Sequence, residues 1–370
     1  MRTIILGAGM TGLAAGYEKD RPIYEATDHA GGICTTYTKE GFEFDLGGSH
    51  WIFGNNEAVD FIKKLVPLNT YERNAGVYYN KIFPYPIQNF MNKPNESTEG
   101  FFKNWNSNKF SNELCNLFFH PFNAKYTAGY YDEVVQFDAY KSPKVGEQGY
   151  CTEFHNPVGG LKTLVDALAK ECDIHYNKKV VQINYPSKKV KFSDGSEVKY
   201  DRIISTLPLN RTFYLCGRQS FNLPSSSVFV LNIGAKPGKA LPKEHWLYVP
   251  FCRSNFYRVG FYSNVEPAKA PAGMVSICVE MAFRGVDYEE LDVPFIIQEV
   301  VRELQEWNWI EDVIVADPTW IPTAYTWNRV PEEREKHIAW LAERNISSIG
   351  RYGLWKFQGI CESIQQGLNS

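Results

Sequence analysis

Three glycines recur at the spacing Gly7-x-Gly9-x-x-Gly12, directly after the apolar run Thr3-Ile4-Ile5-Leu6. Each position asks for glycine for a different reason: Gly7 permits a tight turn, Gly9 lets backbone approach a pyrophosphate, and Gly12 lets a helix lie close on the strand. Met10 and Thr11 open that helix, whose N-terminus would face negative charge. Glu25 closes the next apolar stretch, where a carboxylate accepts from both hydroxyls of a ribose, and Gly31-Gly32 follow it. The set reads as a site for an adenosine dinucleotide. Glu25 comes 13 positions after Gly12, against about 20 residues for such an acid, so the helix between must be about a turn short. Other side chains capable of chemistry stand beside glycines or among aromatic residues, notably His50 after Gly47-Gly48, Arg258, and Arg351 after Gly350.

Rigid elements must position these groups, and the hydrophobic pattern supplies them. Alternation predicts strands at 42–46, 77–79, 81–83, 174–176, 180–183 and 203–207, then longer ones at 228–232 and 275–280. Helical periodicity marks 56–66, a segment opening at Gly159-Gly160-Leu161, 293–306 and 358–368, while 346–351 reads as a strand ending in Gly-Arg. Residues 98–150 are aromatic, amide-rich and mostly helical in pattern, with breaks expected at Pro121 and Pro143. The fold class is α/β. A Rossmann-like dinucleotide-binding domain is expected from three discontinuous segments (1–55, 151–210 and 331–370). An inserted α+β substrate domain takes 56–97 and 211–330, and a mainly helical lobe takes 98–150.

The 370 residues carry a net charge of -3, which provides no polybasic surface for nucleic acid or an anionic membrane. Eight scattered cysteines form no C-x-x-C pair, so they read as reduced thiols and no metal site is expected. No run of 18 apolar residues occurs, and a strand begins at Thr3 with no signal peptide before it; the expectation is a soluble, cytoplasmic protein. Aromatic residues reach 15%, enough to wall a nucleotide or sugar site as well as fill a core.

Five stretches taken in order carry a resemblance. They are Phe44-Asp45-Leu46-Gly47-Gly48-Ser49-His50-Trp51-Ile52-Phe53, Pro84-Tyr85-Pro86-Ile87-Gln88-Asn89, Trp246-Leu247-Tyr248-Val249-Pro250, Phe256 to Asn264, and Gly350-Arg351-Tyr352-Gly353-Leu354-Trp355-Lys356-Phe357. Over essentially its whole length the chain resembles the FAD-binding amine oxidase and protoporphyrinogen oxidase superfamily, and within it the eukaryotic-type UDP-galactopyranose mutases. The resemblance implies FAD as cofactor. It places Gly47, Gly48 and His50 against the flavin ring, Gly350 and Arg351 at its polar edge, and Val181 in the cofactor-binding set. It gives Tyr248, Arg258 and Tyr325 contacts with a substrate diphosphate and sugar, and makes Gln88 a further substrate residue, so that His50, Arg258 and Arg351 form the implied catalytic set. Each also has an ordinary reading: His50 as a satisfied core histidine, the tyrosines as sheet packing, the arginines as surface charges.

The chain departs from the mutase pattern at several points. Ser49 is an added residue between Gly48 and His50, and Phe357 stands where the mutases have a tyrosine whose hydroxyl meets the diphosphate. No arginine occurs between Arg73 and Arg202, although the mutases use one in the middle lobe; Lys125, Lys141 or Lys144 would replace it only as a point charge. Three functions stay open. The first is a redox-neutral pyranose/furanose mutase acting on a nucleotide-diphosphate sugar through a flavin N5-sugar adduct on reduced FAD, with NAD(P)H as an external reductant. The second is an FAD-dependent oxidoreductase of amine oxidase or desaturase type, and the third a non-catalytic flavin-binding scaffold. The sugar, the nucleotide and the oligomeric state, a homo-oligomer included, are not fixed by the sequence.

Overall fold

In a computed structural model the described residues are 2–54, 56–87, 112–133, 152–219 and 223–370. Thr3–Leu6 lies inside a five-stranded parallel sheet, between Arg202–Ser205 and Ile23–Tyr24, with Ile346–Ser348 and Ile174–His175 at the edges. Strands in the middle of a parallel sheet are buried on both faces, so alternate residues serve two cores. Ile5 and Ile204 pack with the helices Met10–Gly16, Leu161–Lys170 and Ile360–Leu368. On the other face Ile4, Leu6 and Ile203 meet Val180, Val190 and Phe192 of a three-stranded antiparallel sheet. All five parallel strands come from residues 1–55, 151–210 and 331–370. The first helix has seven residues, as the short separation from Glu25 demands.

The second sheet has seven strands, in the order Ile310–Thr326, Ser225–Pro237, Val275–Phe283, Arg258–Phe261, Trp246–Tyr248, Ala75–Tyr79 and Lys81–Pro84. One face is closed by helix Val293–Glu306 over Leu247, Val259 and Val279. The other face turns toward the parallel-sheet domain, with Phe42, Phe44 and Trp51 packed on Val228, Val230 and Tyr262.

One strand was not anticipated and two expectations change. The 17-residue strand Ile310–Thr326 escapes sequence reading because Pro318 and Pro322 interrupt its pattern; it lies at the sheet edge, where a missing N–H is tolerated. The strand at 346 ends at Ser348, and Gly350, at φ +82°, turns the chain into the short helix Gly350–Gly353. Pro121 does not break the lobe's helix. Asn112–Leu114 continues through a π-helical turn, Cys115–Phe119, into His120–Tyr126, and the wider turn accommodates the proline near the start of the last segment. Pro143 lies outside the described residues, and among the described residues no helix is long and apolar enough to cross a membrane.

Candidate active site

A cavity of about 460 Å³ is lined by residues of both sheets and by the loops that join them. At one end the glycine turn contributes Gly7, Gly9, Met10, Thr11, Gly31 and Gly32. A Cβ on Gly12 would stand 1.9 Å from the Gly7 carbonyl oxygen, so only glycine lets this helix cross its turn. At Gly9 the same construction meets nothing within 4 Å, which leaves bare backbone facing the cavity. Glu25 is not among the lining residues, yet it sits behind this turn: its Oε2 accepts from the Ala8 N–H at 2.8 Å and its Oε1 from the Thr27 N–H at 2.9 Å. An open glycine cradle with a carboxylate beside it fits a flavin adenine dinucleotide.

At the other end, strand register aligns the polar groups. Tyr248 pairs with Arg258 and Arg258 with Glu280, and directly paired residues project from the same face, so the three form one row across the sheet. Glu280 is 2% exposed. Its Oε1 accepts from Arg258 Nε at 2.8 Å and Nη2 at 2.5 Å, while Oε2 accepts from the Tyr257 hydroxyl at 2.8 Å. Arg258 therefore enters the cavity with its orientation fixed by a buried counter-ion. Burial opposes its charge, yet the Glu280 carboxylate raises it well above the usual arginine range. Burial raises the Tyr248 phenol, against the pull of Arg258, so at neutral pH Tyr248 remains an O–H donor.

His50 lines the cavity, and its Nδ1 lies 2.9 Å from the Gly48 carbonyl. Because a carbonyl only accepts, Nδ1 carries the proton and Nε2 is left as an acceptor. Burial pulls His50 below the ordinary histidine value, which keeps the ring neutral. Gly47 and Gly48 lie behind it; a Cβ on Gly47 would come within 2.7 Å of His50 Cε1. Arg351 donates to the Ala324 carbonyl at 2.9 Å and stands over the rings of Phe357 (4.5 Å) and Tyr325 (5.1 Å). Gly350, Arg351, Tyr325 and Phe357 all line the cavity.

Two of the expected residues that are described, Val181 and Lys125, are not gathered here. Gln88 lies outside the described residues, as do Lys141 and Lys144. Val181 is 42% exposed and borders a separate surface depression with Lys191 and Tyr214. Lys125 faces elsewhere as well, donating to the carbonyls of Val249 and Phe256. The structure adds two residues that sequence reading passed over. Arg73 lines the cavity with its guanidinium 5.2 Å from the Tyr85 ring, and Glu280 orients Arg258 from behind the wall. A lone carboxylate inside the apolar strand Val275–Phe283 was the available signal for Glu280, since a buried charge requires a partner. Arg73 had none beyond its type.

A family model described as flavin containing amine oxidoreductase matches residues 80–351, and one described as an NAD(P)-binding Rossmann-like domain matches residues 5–65. Among solved structures, reduced UDP-galactopyranose mutase superposes with a TM-score of 0.86 at 23% identity, covering 99% of this chain and 92% of that one. An oxidoreductase from Methanosarcina mazei gives 0.66 at 16% identity with 100% of both chains covered. Putrescine oxidase bound to putrescine gives 0.65 at 15%, covering 100% of this chain and 97% of that one. At these identities the structural likeness is one of fold.

Proposed function

The chain belongs to the flavin containing amine oxidoreductase family, and from that premise we propose that it is an FAD-dependent pyranose/furanose mutase of a nucleotide-diphosphate sugar. One observation carries this reading. Among the described residues lining the cavity there are three guanidiniums, Arg73, Arg258 and Arg351, and no aspartate or glutamate. A diphosphate would meet guanidinium donors there, with Glu280 offsetting the charge of Arg258 from behind the wall, whereas an alkylammonium substrate would find no carboxylate on the described lining. The fold shared with a UDP-galactopyranose mutase supports the same direction.

Gly9, Met10, Thr11 and Gly32 would hold the dinucleotide, with Glu25 at its ribose and His50 and Arg351 beside the flavin. Reduced FAD, when bound, would supply the nucleophile for the sugar's anomeric carbon, with NAD(P)H keeping it reduced. Arg258, aimed by Glu280, would hold the departing diphosphate, and the Tyr248 hydroxyl would donate to a phosphate oxygen. The neutral His50 would accept a hydrogen bond at Nε2 without adding charge. Trp51, Tyr85, Phe154 and Phe357 line the same cavity and would exclude water around the reacting sugar.

The family description and the fold shared with putrescine oxidase favour a second reading, an FAD-dependent oxidoreductase that removes hydride from a small molecule. An anaerobic assay separates them. Ring-size exchange in a panel of sugar nucleotides that requires reduced flavin, yet consumes no stoichiometric reductant, is the expected result. Absence of exchange, together with bleaching of oxidised flavin by an amine or other reduced substrate, would replace the mutase reading with the oxidoreductase one.

A further inference from the structure

Away from the cavity, a lysine and a cysteine meet across two elements. Lys125 lies on helix His120–Tyr126, and its Nζ stands 3.1 Å from Cys252 Sγ, with the Val249 and Phe256 carbonyls at 3.2 and 3.0 Å. Cys252 sits in the loop between strand Trp246–Tyr248, which carries Tyr248, and strand Arg258–Phe261, which carries Arg258. The acid bordering the same cleft, Glu303, is committed elsewhere: its two oxygens accept from the Arg253 and Ser254 N–H groups at 2.7 Å each. Burial holds the Lys125 ammonium below the usual lysine range, which raises its share of neutral, nucleophilic amine. Burial also raises the Cys252 thiol, and Lys125 beside it acts in the opposite sense. The pair borders a cleft of about 440 Å³ whose rim includes the exposed rings of Tyr79 and Phe251, so a small oxidant has access.

We propose that Lys125 and Cys252 form a modification site at which hydrogen peroxide closes a reversible covalent nitrogen–sulfur link between the helical lobe and the hairpin bearing Tyr248 and Arg258. In the first step Cys252 Sγ attacks a peroxide oxygen. The O–O bond breaks, an S–O bond forms, and the thiol becomes a sulfenic acid with release of one water. In the second step the Lys125 amine attacks Sγ, the N–S bond forms, the S–O bond breaks, and the hydroxyl leaves with an amine proton as a second water. One thiol, one amine and one hydrogen peroxide thus give one sulfenamide and two waters; sulfur is oxidised by two electrons and the peroxide is reduced by two. Contact between the groups favours ring closure over further oxidation of the sulfenic acid. A thiol reductant reverses the link by attack at sulfur, returning the amine and, with a second thiol, the free cysteine.

Peptide mass spectrometry of the full-length protein after hydrogen peroxide treatment tests the proposal. The Lys125 and Cys252 peptides should appear as one joined species about 2 Da lighter than their sum, and dithiothreitol should separate them. Lys125→Arg retains the positive donor but cannot form the sulfenamide, so the joined species should vanish while Cys252 accumulates as sulfinic acid. Unjoined peptides in the oxidised wild-type protein would overturn the proposal, and so would a joined species that persists in Lys125→Arg.

Discussion

At the scale of single residues, Arg258 and Glu280 have to be considered as one unit. Removing one partner of a buried ion pair leaves an uncompensated charge and costs about 3–5 kcal/mol, whereas an exposed pair such as Arg253–Glu306 contributes about 1 kcal/mol or less. Glu280→Ala should therefore lower the unfolding free energy by about 3 kcal/mol or more in urea titration; a change no larger than that of Glu306→Ala would show that the buried pair is not structural. Arg258→Lys separates charge from shape, because lysine can still meet Glu280 but lacks the fork. It should weaken nucleoside-diphosphate binding roughly tenfold by calorimetry while flavin content stays unchanged. Unaltered affinity would remove Arg258 from the substrate site. At Phe357, which stands against Arg351, Phe357→Tyr adds a hydroxyl at the cavity wall, and tighter diphosphate binding is expected if a donor is what that wall lacks.

At the scale of elements, the crossing of the first helix over its turn is the most constrained junction. The Gly12 position leaves a Cβ 1.9 Å from the Gly7 carbonyl, and neighbouring backbone cannot swing away as a flexible side chain can. Gly12→Ala should cost about 3 kcal/mol or more and release bound flavin, read by urea midpoint and visible absorbance; retention of both would mean that the turn is pliable. This element was legible because glycine spacing encodes backbone geometry directly. Helix Val293–Glu306 was legible because its apolar period is strong; the structure adds Asp292 as its cap, accepting from the Phe295 N–H. Strand Ile310–Thr326 was not, since an edge strand tolerates prolines that a pattern reader counts as breaks. The row from Tyr248 to Glu280 was half legible. Tyr248 and Arg258 carried a resemblance, but the pairing of Arg258 with a residue 22 positions later depends on register, which tertiary packing sets.

At the scale of the whole molecule, burial of titratable groups couples stability to pH. His50, His155 and His245 are all pulled below the ordinary histidine value, and burial is the main cause for each. In the unfolded chain they titrate near about 6.5. Above that pH neither state binds these protons and their contribution to stability is complete; below it the unfolded chain takes up protons first, so stability falls as pH drops toward the folded values. Asp45 acts in the opposite sense. Burial raises its carboxyl, despite Lys269 and a 2.8 Å hydrogen bond from Thr36, so the folded chain binds a proton before the unfolded one and gains stability between that raised value and about 4. Three histidines against one carboxyl set the expected sign: the urea midpoint should be lower at about pH 5.5 than at about pH 7.5. A midpoint that rises on acidification would mean that Asp45 outweighs the histidines. His245→Gln distinguishes the contributions, because the neutral amide cannot titrate and should flatten the decline without touching the cavity, whose lining does not include His245.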